Sequence, residues 1–193
     1  MNWFVDLLNL LIIVGIGFGV YAAMEIRGAM LQKINPKILI PTCLLIALIQ
    51  CIFFFGGYII TYEMVQHDEV RDASTLGFGL AAIIYFLLAV RLIHKALRHD
   101  DIEEKREEMS VKYYVLIILA GAIYTLLAGL ASGLMAANIW LMMLFTVAST
   151  IVVVSMGIYT GYRYGFASRP RVYVIGAVLL IIAGLASLLS AFI

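Results

Sequence analysis

Charge is scarce in this sequence. Lys, Arg, Asp and Glu make up 13% of the 193 residues, while 64% are hydrophobic and the mean hydropathy is +1.06. A soluble domain carries about a quarter of its residues charged. A chain this apolar cannot hide its surface within itself, so lipid has to cover the outside. The net charge of +1 excludes the basic footprint of a nucleic-acid-binding protein. Cysteine is nearly absent as well. Cys43 and Cys51 share one apolar run and are separated by roughly two helical turns, too far for a disulfide, so they read as small core residues. No Lys or Arg occurs ahead of Gly15, and Asp6 stands where a secretion signal would be positive, so the first apolar segment reads as a retained span. Zinc-ligand spacing, a phosphate loop, a nucleophile elbow and a Cys–His constellation are all missing. An enzyme is not expected, and no cofactor is implied.

What is present is a repeated run of apolar segments. Six of them, near Phe4–Met24, Ile38–Thr61, Ser74–His94, Tyr113–Ala137, Ile139–Thr160 and Val172–Ile193, are each long enough to cross a hydrocarbon core about 30 Å thick. Trp3 and Trp140 fall at span ends, where indole rings favour the interface. The expected fold is all-α and membrane-spanning, with six transmembrane helices arranged as two inverted three-helix repeats. The first repeat is residues 1–94 and the second 113–193. Between them the stretch 95–112, KALRHDDIEEKREEMSVK, holds 11 of the 25 charged side chains and reads as a solvated connector.

The basic residues orient the chain. Twelve of the 13 Lys and Arg lie in the first, third and fifth connections; only Arg71 sits elsewhere, beside Glu63, Asp68, Glu69 and Asp72. The positive-inside rule puts residues 95–112 in the cytoplasm and both termini outside, in a bacterial or archaeal plasma membrane. The acidic second loop, with His67, could gather divalent cations, but a solvated loop is the simpler reading.

The halves also share features in order. Tyr21 has a counterpart in Tyr124; Gln50 precedes Gly57 as Thr150 precedes Gly157. An odd number of spans per half inverts the second half, the plan of transporters with a central site. Gly15 and Gly19, Gly129 and Gly133, and Gly157 and Gly161 are small-xxx-small pairs that let helices approach closely in any bundle. The candidate pathway residues are Tyr21, Glu25, Gln50, Tyr124 and Thr150. Each also has a structural reading. Hydroxyls and amides can bond between helices without transporting anything, and Glu25 can pair with a nearby cation such as Arg27. Arg91, one turn inside span three, reads as an interfacial anchor.

Over nearly its whole length the sequence resembles the MntP manganese-efflux family of the wider LysE-type exporter group. Arg27-Gly28-Ala29, the Gln50–Gly57 spacing, Arg91 and Arg98, the Asn138-Ile139 turn, Thr150 with Gly157 and Gly161, and Gly176 with Gly184 carry the resemblance. The resemblance implies a divalent-cation exporter in which an Asp of span one and an Asp of span four face the ion. Here those positions read Gly19 and Tyr124, and Phe53-Phe54 replaces a Met-Pro pair. A hard cation wants oxygen ligands and negative charge, so the family's central ion geometry is not expected. Three readings of function stay open: an exporter of divalent cations, a structural or regulatory subunit of a membrane complex, or an exporter of a neutral or zwitterionic solute. The lipid bilayer is the one expected contact; a homo-oligomer or a membrane-protein partner stays open.

Overall fold

The computed structural model describes residues 2–67, 73–97, 111–165 and 169–192. They form six helices: α1 (Asn2–Ala29), α2 (Pro36–His67), α3 (Ala73–Leu97), α4 (Val111–Leu134), α5 (Ile139–Tyr164) and α6 (Arg169–Phe192). Five are long and apolar enough to cross a membrane; within the 24-residue α4 the counted apolar stretch is Gly121–Leu134. The chain is an all-helical integral membrane protein. Of the 95–112 connector, Lys95–Leu97 continue α3 and Val111–Lys112 begin α4. Residues 98–110 and the acidic group Asp68, Glu69 and Asp72 lie outside the described residues.

The helix ends follow local chemistry. Asn35 accepts the Lys37 N–H at 3.1 Å and Pro36 opens α2, where its missing donor costs nothing. The α4–α5 turn is as tight as the sequence implies, but α4 stops at Leu134, three residues before the expected Ala137. Ala136 turns left-handed at φ 49°, and its N–H and that of Ala137 close back on Gly133 and Ser132. That is a Schellman ending with alanine where glycine is usual. Asn138 then caps α5 by accepting the Leu141 N–H at 3.4 Å. Trp3 and Trp140 are 72% and 79% exposed, free to sit at an interface.

The strongest packing pairs α1 with α5, α2 with α4 and α3 with α6. The first two pairs touch backbone to backbone through glycine. On α1–α5, a Cβ at Gly157 would meet the Tyr21 carbonyl at 2.8 Å, and Cβ atoms at Gly28 and Gly161 would run into the Ile158 and Glu25 carbonyls. On α2–α4, a Cβ at Gly57 would run into the Leu126 carbonyl and one at Gly129 into the Phe54 carbonyl; at Gly133 it would meet the Tyr58 carbonyl at 2.5 Å. Thr61 adds a polar link to this pair, its Oγ1 donating to the Leu130 carbonyl at 2.9 Å. In a bilayer there is no hydrophobic drive between helices, so dispersion across such close approaches has to hold them. Two apolar clusters fill the interior. The larger surrounds Ile12, Phe54, Tyr85 and Leu180; the smaller, toward the α1–α2 turn, joins Met24, Ile46, Val154 and Ile158. Cys43 and Cys51 are buried and free, as small core residues.

Candidate functional site

The five candidate residues do not form one site. Gln50 on α2 and Thr150 on α5 meet directly, the Thr150 hydroxyl donating to the Gln50 side-chain oxygen. Both are buried, and with Thr125, Thr146 and Ser149 they line a void of about 20 Å³, room for roughly one water. Thr146 and Ser149 spend their hydroxyls on the Met142 and Thr146 carbonyls of their own helix. This void is the size of one water and has polar walls, with no charged side chain among its described lining residues.

Tyr21 faces α5, donating to the Thr160 hydroxyl at 2.7 Å, and Thr160 in turn donates to the Met156 carbonyl. Glu25, one turn further, is 1% exposed and lies where α1 crosses Gly161. Neither Tyr21 nor Glu25 lines the void or the large cavity described next.

Tyr124 belongs to that cavity. It measures about 350 Å³ and lies between α1, α3, α4 and α6. It extends from Ile16, Gly19, Tyr124 and Leu180 in mid-span to Lys95 near the end of α3. The Arg91 guanidinium sits 4.4 Å from the centre of the Tyr124 ring, and the Lys95 ammonium lies 5.1 Å from the same ring and 6.0 Å from that of Tyr173. Cations over ring faces are attracted by the ring quadrupole, which ties the Arg91 guanidinium to α4 although the residue as a whole stays exposed. The Tyr124 hydroxyl is buried with no hydrogen-bond partner among the described residues. None of the described lining residues is acidic, and among the described residues no group of His, Cys, Asp and Glu is placed to hold a metal ion.

A polar cluster that sequence reasoning passed over lies toward the other end of α1. Asn9, fully buried, donates to the Val5 carbonyl at 2.8 Å and accepts the Ser132 hydroxyl at 2.6 Å. Met135 sulfur takes contacts from Asn9 and Tyr85, and Asp6 accepts the Asn138 N–H at 3.3 Å. Its groups satisfy one another, which ties the α4–α5 turn to α1. An Asn in an otherwise apolar first span was the available signal.

Spanning helices, a polar core and an internal cavity define a polytopic helical membrane protein of transporter type. The comparisons make this specific. A family model described as "Mntp: Putative manganese efflux pump" matches residues 33–188, and the chain belongs to that family. Three relatives bear the name "Putative manganese efflux pump MntP". One from Pseudomonas syringae is 26% identical over 85% of this chain and 85% of that protein. One from Aliarcobacter butzleri is 24% identical over 74% of each. One from Pseudomonas savastanoi is 27% identical over 59% of this chain and 61% of that protein. No solved structure matches.

Proposed function

We propose that this protein is a plasma-membrane exporter that works by alternating access between two inverted halves, loading its cargo from the cytoplasmic side into the α1–α3–α4–α6 cavity. The observation that carries this reading is the doubled helix packing. Shifting α1 by 105 positions onto α4, and α2 by 100 onto α5, converts three α1–α5 contacts into α2–α4 contacts. Tyr21 with Gly157 becomes Leu126 with Gly57, Gly28 with Ile158 becomes Gly133 with Tyr58, and Glu25 with Gly161 becomes Leu130 with Thr61. Gln50 and Thr150 are then equivalent and touch, as residues flanking a two-fold axis do. In this register the partner of Tyr124 is Gly19 rather than Tyr21, and both line the cavity. Those are the two positions at which the family resemblance leads one to look for ion-facing acids.

Manganese(II) is the cargo that the relatives' names put forward. Reconstituted vesicles loaded with a manganese-sensitive dye test it directly. Flux that falls in Glu25→Gln or Tyr124→Phe supports manganese carriage with ligands other than the two acids; absence of flux from folded protein removes manganese as the cargo. The cationic wall of Arg91 and Lys95 favours a second reading, an organic solute with no net positive charge. The orientation is tested by labelling. Cys43 and Cys51 are buried, so a cysteine placed at Asp68 should react from outside and one at Glu104 should not; the reverse pattern overturns the assignment.

A further inference from the structure

We propose that the large cavity is a binding site for an oxyanion, a carboxylate or phosphate group, held by Arg91 and Lys95 beside the Tyr124 ring. The inference rests on the reading of this cavity as the loading site and names the chemistry of what it takes. Three observations carry it. First, the wall is one-signed: two cations, a tyrosine, two glycines and seven aliphatic side chains, with no acid among the described lining residues. Second, Arg91 lies six residues inside the end of α3 and has no carboxylate partner among the described residues; its guanidinium lies over the ring of Tyr124. A ring face attracts a guanidinium but leaves its in-plane N–H donors unused, and those donors match the two oxygens of a carboxylate or phosphate. A cation at this depth in a membrane protein ordinarily finds a counter-charge or marks a substrate path. Third, the Tyr124 hydroxyl is buried without a hydrogen-bond partner among the described residues, leaving one more donor in the same wall. Gly121, with nothing within 4 Å of its Cβ position, keeps the α4 side of the cavity open.

The same chemistry has two sources, a free cytoplasmic anion or the headgroup of an anionic lipid entering from the inner leaflet. The test uses the purified full chain in lipid discs, with radiolabelled phosphate and citrate as probes. In phosphatidylcholine discs the unaltered protein should bind one of the two saturably. Arg91→Gln should weaken binding about tenfold or more, the loss expected for a charged hydrogen-bonding partner. Arg91→Lys should keep part of the affinity, and Gly56→Ala, away from the cavity, should keep all of it. If phosphatidylglycerol in the discs suppresses probe binding, and co-purifies with the unaltered protein but not with Arg91→Gln, the occupant is a lipid headgroup and the site stands. Should Arg91→Gln fail to fold, Lys95→Gln carries the same comparison. No saturable binding of phosphate, citrate or phosphatidylglycerol, or equal binding by folded Arg91→Gln, overturns the site. Manganese efflux without oxyanion binding would sink this inference and leave the exporter; oxyanion binding with no flux of manganese or anion would sink the exporter and leave the site.

Discussion

The α1–α5 and α2–α4 pairs reach the same backbone contact with different residues. Glycine at positions 28, 157 and 161 brings α1 and α5 together; glycine at 57, 129 and 133 does so for α2 and α4. In the second pair Thr61 adds a hydrogen bond to the facing Leu130 carbonyl. The first pair has a buried Glu25 where α1 crosses Gly161. The close approach is common to both pairs, while the polar groups are not. Geometry is therefore constrained twice over, and charge is free to differ.

The largest expected effect breaks both pairs. Gly57→Ala and Gly161→Ala each drive a methyl into a carbonyl of the facing helix. Each should cost about 1–3 kcal/mol or more, as overpacking does, with similar losses in the two. Detergent melting curves check this; a loss in one variant alone would show that only one of the two pairs depends on its close approach. Gly56→Ala, one residue from Gly57 but with nothing within 4 Å, should be neutral or stabilising by up to about 1 kcal/mol.

Next is the point where the halves meet. Gln50→Leu or Thr150→Val alone leaves a buried partner unsatisfied and should destabilise by about 1–3 kcal/mol. The double variant should recover part of that loss, a non-additivity that a double-mutant cycle measures. Additive losses would show that a water in the neighbouring void already satisfies both groups.

A sharper probe of the charge difference is Gly19→Asp. It places a carboxylate in the cavity that holds Arg91, and oxyanion binding should fall about tenfold as the new acid competes for the guanidinium. Unchanged binding would mean that the acid does not reach it. A smaller loss is expected from Thr61→Ala, which removes the hydroxyl that reaches the Leu130 carbonyl together with one methyl group, about 0.5–1.5 kcal/mol by the same melting assay.

How much of this was legible varies by residue. The glycine pairs 129/133 and 157/161 marked real interfaces, because a four-residue spacing fixes one helix face whatever it packs on. The pair Gly15/Gly19 did not behave as one. Gly15 meets Gly176 and Leu180 of α6, whereas Gly19 opens onto the cavity. Tyr21 and Tyr124 look equivalent by order along the chain, but Tyr21 bonds to Thr160 on α5 while Tyr124 lines the cavity beside Arg91. Asn9 and Ser132 were separated by 123 positions, and nothing local signals such a bond.

Hydropathy, length and the placement of basic residues determined the helical, membrane-embedded class. These follow from a solvent that tolerates no unpaired backbone and few charges, and both can be counted along a chain. The tertiary structure alone decided that Gln50 and Thr150 share one contact, that Tyr21 turns to Thr160, and that Arg91 lies over Tyr124 in a cavity with no acid among its described lining residues. Those outcomes depend on how far each helix is rotated about its own axis. That rotation is set by which side chains and backbones fit together across the interface, and it is not encoded in any one segment.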